Sequence, residues 1–325
     1  QELVDPNRPA GIFRLIQEDP GKGMTAWRVG RYMQIEDLTE NVKIVSVDKG
    51  PLRQSFTFKV EFASSHLQAT VSLDETAPRL NYAVKCDWHE IGRPETSIPQ
   101  LNFYVPVGYQ CTQYKYDVPF GVIRRNAMDL DVPGNSFILG ENPDADGAQL
   151  MVITDSKYGF RGNKQAMAVT LIRSSFDPDP YPENGIHEFN LAIQVDHGSC
   201  NAGLLQTTCR YNHPFTVLSG THHPGSLPLE LSFASVEGGS AAVSAIKLSE
   251  PAQDTTRDLI VRLYETNGST TEVVLALPRP VEKAVFVDLN EKPIPTQGSP
   301  RVDGCTVTIP VEAYQVATVK LSLKA

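Results

Sequence analysis

A 325-residue chain with 41% hydrophobic and 21% charged residues has a globular balance and enough apolar mass for a sizeable core, which argues against disorder. Its net charge of −9 repels phosphate backbones and anionic bilayers, so neither nucleic acid nor membrane is an expected partner, whereas a neutral sugar is tolerated. The length predicts one large domain and one small one.

The chain opens on Gln1-Glu2-Leu3-Val4 and then Asp5-Pro6, which reads as the end of a preceding element, with neither an initiator Met nor a cap. No basic-then-apolar leader opens it, and no run approaches the roughly 18 apolar residues of a membrane helix. Phe56, Phe58, Val60 and Phe62 alternate with Thr57, Lys59 and Glu61, which predicts a half-buried strand. Similar runs at 67–73, 80–88, 101–107, 150–154 and 166–172 are separated by Gly, Pro, Asp and Asn, the spacing of a large antiparallel sandwich. In Asp177-Pro178-Asp179-Pro180-Tyr181-Pro182 the prolines remove backbone donors and predict a surface loop.

One helix is expected, over 199–211, where Leu204, Leu205, Thr208 and Tyr211 recur at helical spacing and Pro214 follows. From residue 241 a second set of strands is expected at 242–248, 259–265, 271–277, 284–288, 305–309 and 317–323. Asn267-Gly268 reads as a hairpin turn between two of them. The fold class is therefore all-β: a large antiparallel sandwich over 1–240, then a small β-sandwich of immunoglobulin-like size over 241–325, with one short helix.

Cys86, Cys111, Cys200, Cys209 and Cys305 are odd in number and lack a C-x-x-C pair, which predicts buried free thiols and a cytoplasmic setting. Asn267-Gly268-Ser269 fits a glycosylation sequon, a pattern too short to weigh much. No histidine spacing suggests a metal site, and His222-His223 point to opposite sides of an extended chain. Asp87-Trp88-His89-Glu90 offers an aromatic plate with acid–base groups, or a strand-end Trp in the core. Asp177 and Asp179 alternate on an extended loop, which does not place them about 5 Å apart across one bond as a retaining glycosidase requires. Tyr158-Gly159-Phe160 sets two aromatics around a glycine, for a ligand or for the core alike. Glu183-Asn184-Gly185-Ile186-His187-Glu188-Phe189 puts polar groups at a turn entering a strand. No catalytic residue is assigned, since no nucleophile–base pair or phosphate loop stands out.

The order of motifs is more specific than any one of them. Gly23-Met24-Thr25-Ala26-Trp27-Arg28-Val29-Gly30, Asp87-Trp88-His89-Glu90, Asp117-Val118-Pro119-Phe120-Gly121-Val122-Ile123-Arg124-Arg125 and Thr154-Asp155-Ser156-Lys157-Tyr158-Gly159-Phe160 come first. Leu171-Ile172-Arg173-Ser174-Ser175, Asp177-Pro178-Asp179-Pro180, the 183–189 segment and Arg262-Leu263-Tyr264-Glu265-Thr266-Asn267-Gly268 follow. Across nearly the whole chain this order resembles the C-terminal half of bacterial and cytosolic-type α-mannosidases of glycoside hydrolase family 38.

The resemblance implies a mutarotase-like supersandwich followed by a smaller β-sandwich. In that family an N-terminal α/β domain supplies an aspartate nucleophile and zinc ligands for a retaining reaction, and a helical bundle follows it. Nothing in this sequence matches those parts. The expectation is a scaffold and substrate wall, inactive alone and without its own cofactor, with zinc held by the N-terminal catalytic domain of the full-length enzyme. The family's sandwich also begins ahead of Gln1-Glu2-Leu3-Val4, so an exposed sheet edge is expected. The resemblance places Tyr158, Gly159, Phe160, Asn184 and His187 nearest the sugar, Asn184 standing where some members carry a basic residue. The implied partners are a mannose-containing oligosaccharide and the N-terminal catalytic domain, with homo-oligomerisation left open. Two alternatives stand beside this: a carbohydrate-binding module using Trp88 or Tyr158, and, by fold analogy alone, a mutarotase-type enzyme.

Overall fold

The computed structural model describes residues 2–143, 147–221, 224–250, 258–295 and 298–324. Gln1 and the pair His222-His223 lie outside the described residues. The chain divides into two compact units, one of residues up to 118 with 123–198, the other of 119–122 with those from 199 onward.

Among the described residues the first unit is built from strands alone, apart from a short 3-10 turn at Pro20–Lys22. In chain order they are β1 (Ile12–Glu18), β2 (Tyr32–Asp37), β3 (Lys43–Lys49), β4 (Arg53–Phe62), β5 (Ser65–Asp74), β6 (Arg79–Trp88), β7 (Ile98–Pro106) and β8 (Gln113–Val118). β9 (Gly121–Asn126), β10 (Val132–Pro133), β11 (Phe137–Gly140), β12 (Ala148–Thr154), β13 (Gly159–Asn163), β14 (Ala166–Arg173) and β15 (Gly185–His197) complete the set. They form a six-stranded sheet, β10-β13-β14-β7-β1-β2, and a nine-stranded sheet, β3-β4-β5-β6-β15-β12-β11-β8-β9.

The core lies between apolar faces of these strands. Phe13, Leu101, Phe103, Trp88, Tyr114, Tyr116 and Phe160 are buried in one cluster, with Tyr82 edge-on to Phe103 at 4.9 Å. β7, expected from the sequence as one of the alternating runs, is instead buried along all nine residues. Its polar Gln100 and Asn102 find partners in Glu18 and Tyr32.

In β4 the expected alternation holds at Val60 and Phe62 and fails at the outer end, where Thr57 is buried and Phe56 is exposed. Thr57 shares a 2.8 Å hydroxyl–hydroxyl bond with Thr70 of β5, while Phe56 stacks on Phe58 at 6.2 Å. The nine-stranded sheet is wider than the six-stranded one, and β3 at its edge is exposed at every residue. Lys43 and Lys49 at the ends of β3, and a register break between Ile44 and Ser46, protect that edge against further pairing.

The second unit holds α1 (Asn201–Asn212), close to the predicted helix. β16 (Ser235–Glu237), β17 (Ala241–Leu248), β18 (Leu259–Glu265), β19 (Thr271–Ala276), β20 (Val281–Phe286), β21 (Arg301–Asp303), β22 (Thr306–Val311) and β23 (Val316–Leu323) follow. They make two four-stranded sheets, β16-β19-β22-β21 and β17-β18-β23-β20. Val261, Leu263, Val273, Leu275, Val307, Ile309, Val319 and Leu321 fill the core of this smaller sandwich. The sequence places its division at 240/241 and the compact units divide at 198/199; α1 belongs with the second unit, where the Asn201 amide donates to the Thr266 carbonyl at 2.8 Å.

Asn267-Gly268 does not close a hairpin. β18 and β19 lie in different sheets, so the turn is a corner from one sheet to the other. Buried Glu265 makes the corner possible: its carboxylate accepts the backbone N–H groups of Asn267 (2.7 Å), Gly268 (2.7 Å) and Ser269 (3.3 Å). Donors that a hairpin partner would have taken are thus satisfied locally.

The thiols also differ from expectation. Cys86 and Cys111 are buried, and burial pushes them up to about 12 and about 11, but Cys200 and Cys209 are exposed on α1 and its N-cap, and Cys305 is half-buried. All five are free.

Candidate functional site

Strand register gathers the motif segments at one end of the first unit. In the six-stranded sheet Glu18 at the end of β1 pairs with Ile98 at the start of β7, Arg173 at the end of β14 pairs with Gln100, and Gly159 at the start of β13 pairs with Thr170. In the other sheet Gly185 at the start of β15 pairs with Trp88 at the end of β6, and Thr154 at the end of β12 pairs with Leu191. The connections 19–31, 89–97, 155–158 and 174–184 therefore leave the sandwich together and form one rim, the part of such a fold where loop chemistry varies on a fixed scaffold.

Beneath the rim, Trp88 is fully buried; its indole N–H donates to Ser174 Oγ at 2.7 Å, and that hydroxyl donates to the Glu90 carbonyl at 2.7 Å. The Asp87-Trp88-His89-Glu90 segment is thus structural. His89 sits 2.9 Å from Asp87, and Glu90 accepts from Ser64 N and Ser65 Oγ. Trp88 offers no plate to a ligand.

The 155–158 turn is fixed from both sides. Thr154 Oγ1 accepts the Ser156 and Lys157 N–H groups at 3.3 and 3.1 Å, and Asp155 Oδ2 accepts both the backbone and amide N–H of Asn190 at 3.0 and 2.8 Å. Lys157 lies 4.6 Å above the Phe189 ring. Burial lowers its amine below the usual lysine range, while the Glu183 and Asp155 carboxylates pull it back up. The turn and the 183–189 segment, separate in sequence, meet at this lysine.

Of the five candidate residues, Tyr158 is 62% exposed and Asn184 is exposed. His187 is half-buried, with Nε2 2.7 Å from the Glu183 carbonyl. Gly159 is half-buried, and a Cβ there would stand 3.2 Å from the Thr170 side chain, so the position is held small by packing. Phe160 is fully buried and meets Tyr116 edge-on at 6.2 Å. Of these residues Tyr158 and Asn184 are thus exposed, His187 is engaged with the Glu183 carbonyl, and Phe160 packs beneath the turn.

An ion pair not anticipated from the sequence holds the rest of the rim. Glu18 is fully buried and paired with Arg173 at 2.7 Å; Arg173 also donates to the carbonyls of Thr25 and Arg28. The signal in the sequence is weak: each is a charged residue closing a strand, but β1 already carries Arg14 and Gln17. A second polar cluster, Arg161 with Asp131 at 2.6 Å and Asp129 at 2.9 Å, lies beside Tyr32 on the six-stranded sheet. The cavity there, about 50 Å³, holds a water or two rather than a sugar ring. Among the described residues no three His, Cys, Asp or Glu side chains are grouped to hold a metal ion, and no helix is long and apolar enough to cross a membrane. Asp177 and Asp179 are exposed, the latter accepting the Tyr181 N–H at 3.0 Å.

Comparison with known proteins agrees with the motif order. The family described as glycosyl hydrolases family 38 C-terminal domain matches residues 2–181, and the glycosyl hydrolases family 38 C-terminal beta sandwich domain matches residues 240–319. Alpha-mannosidase 2C1 of Homo sapiens is 28% identical over 259 residues, covering 76% of this chain and 24% of that protein. Alpha-mannosidase G of Dictyostelium discoideum is 23% identical over 299 residues, covering 83% and 25%. A glycosyl hydrolase family 38 protein from Enterococcus faecalis shares the fold with a TM-score of 0.70 at 14% identity, over 96% of this chain and 40% of that one. The chain spans about a quarter of the length of the curated relatives it matches.

Proposed function

The chain belongs to glycosyl hydrolase family 38 as its C-terminal region, and from that membership we propose that it forms the substrate-facing wall of a retaining α-mannosidase acting on terminal α-mannosides. The observation that carries this reading is the rim, where the 155–158 turn and the 183–189 segment converge on Lys157 and leave Tyr158 and Asn184 exposed. An exposed ring beside amide and imidazole groups suits a neutral sugar, whose C–H face stacks on the aromatic while its hydroxyls take hydrogen bonds. Asn184 would serve the hydroxyls. His187, tied to the Glu183 carbonyl, would hold the strand entry in place.

Retaining hydrolysis needs two carboxyl groups about 5 Å apart across the scissile bond, one as nucleophile and one as acid. The described residues offer no ligand set for the zinc that the resemblance implies. Nucleophile, acid and zinc ligands are assigned to an N-terminal catalytic domain of a longer polypeptide, with the cytoplasm as its compartment. The purified 325-residue chain, supplied with zinc, is expected to leave an aryl α-mannoside intact; turnover by the chain alone would reject the reading.

The exposure of Tyr158 also favours a second reading, a carbohydrate-binding module. Calorimetric titration with mannobiose separates the two: tight, saturable binding without need of another domain favours the module.

A further inference from the structure

Asn102 of β7 is 2% exposed, and its amide oxygen Oδ1 has no protein donor. Its neighbours are engaged elsewhere. Arg14, opposite on β1, gives Nε to Asp37 at 2.6 Å and lies with its guanidinium carbon 3.2 Å from the centre of the Tyr104 ring. Thr170, opposite on β14, donates to Asp131 Oδ2 at 3.2 Å. Arg161 gives Nε to Asp131 at 2.6 Å and Nη1 to Asp129 at 2.9 Å, and lies 3.6 Å over the Tyr32 ring.

Tyr32 fixes which way the Asn102 amide faces. The phenol has one hydrogen, which goes to Asp131 at 3.0 Å, and burial beside the Asp131 charge raises the phenol above its ordinary range and keeps that hydrogen on it. The phenol oxygen must then accept from Asn102, so Nδ2 faces it at 3.0 Å and Oδ1 is the branch left over. A buried amide oxygen has lost its hydration and demands a donor in return.

The cavity beside Asn102 defines that donor. It measures about 50 Å³ and is lined by Arg14, Tyr32, Asn102, Arg161, Ala166 and Ala168 among others, so it admits a group of one or two heavy atoms. Three carboxylates, Asp37, Asp129 and Asp131, already outnumber the two guanidinium groups they bind, which disfavours an anion, while the two arginines in the lining disfavour a cation. An apolar group would leave Oδ1 unmet. A hydroxyl both donates and accepts, and the lining can serve both roles, because Arg14 Nη1 and Arg161 Nη2 have no partner among the described residues.

We propose that this cavity is a hydroxyl-binding site, in which one neutral O–H group, of water or of a short alcohol, donates to Asn102 Oδ1 and accepts from Arg14 or Arg161. The site is independent of the glycan-facing rim. Its bound hydroxyl completes the network that holds Asp129 and Asp131, on the connection between β9 and β10, against the six-stranded sheet.

A high-resolution crystal structure of the 325-residue chain, from crystals free of alcohols, is expected to show an oxygen peak within about 3.2 Å of Asn102 Oδ1. A second crystal equilibrated with ethylene glycol separates the two sources: a peak that stays a single oxygen identifies water, and a diol hydroxyl in its place identifies alcohols as well. No peak at Oδ1 in either crystal, or an Asn102 amide turned so that Oδ1 meets a protein N–H, overturns the site. Ala168→Val sets methyl groups against the bound hydroxyl and is expected to lower the thermal midpoint by roughly 2–4 °C. An equal or raised midpoint would mean that the lining favours carbon over oxygen, and overturns the site too.

Discussion

Single side chains show most clearly what a sequence pattern leaves open. Tyr158 and Phe160 flank the same glycine, yet one is exposed and the other fully buried, because Phe160 lies within β13 and faces the core whereas Tyr158 stands before the strand begins, in the 155–158 turn. Trp88 and Trp27 make the same point. Trp88 ends an apolar strand and faces inward, while Trp27 stands in a loop whose interior is filled by a threonine. Residue type alone does not separate the two cases; position at a strand end or in a loop does. Thiol chemistry follows the same division. Burial raises Cys86 to about 12 and Cys111 to about 11, far above neutral pH, so neither supplies thiolate or surface access. Alkylation of the native chain with iodoacetamide, mapped by mass spectrometry, is expected to modify Cys200 and Cys209 first and to leave Cys86 and Cys111 untouched until denaturant is added. Early labelling of Cys86 or Cys111 would contradict the core assignment.

At the scale of elements, the strands with alternating or continuous apolar runs were legible, and so was α1, because period and turn residues are local signals. Pairing was not. Asn267-Gly268 carries a strong hairpin signal, but Glu265 takes the turn's N–H groups and β19 leaves for the other sheet. That carboxylate also governs a pH response. Burial alone would raise its pKa, yet the Ser240 hydroxyl and the N–H groups of Tyr314, Asn267 and Gly268 outweigh burial and set it below the usual glutamate range. A depressed folded-state pKa means stabilisation that is complete above the unfolded value, about 4.3, and lost as pH falls through the lower folded value. Glu265→Gln is therefore expected to cost roughly 1–3 kcal/mol at neutral pH and to flatten the loss of stability on acidification below about pH 4.3. Urea midpoints measured from pH 7 to pH 3 check both parts. A parallel loss in variant and parent would assign the acid response to other groups.

For the whole molecule, the two-part all-β architecture was readable because the order of motifs spans both parts; the expected division at 240/241 coincides with the start of the second family match at residue 240, while the compact units divide at 198/199. Residues 199–240 mix a helix with Gly- and Ser-containing turns, and composition alone does not say which unit a helix joins. Between α1 and β16 the chain exposes Phe215, Leu218 and Leu229 outside any helix or strand. Chymotrypsin is expected to cut there first, within 213–234, and to release two resistant fragments. Initial cleavage inside β7 or β15 would speak against the order seen in the first unit. The rim was only partly legible, since its connections are spread from residue 19 to residue 184 and only strand register assembles them. The buried Glu18–Arg173 pair has a further consequence. It closes strands of the six-stranded sheet and also tethers the 23–30 loop, so the sheet end and the loop share one fastening. Variation that spares the sheet should therefore accumulate at outward positions such as Trp27, whose side chain the fastening does not touch.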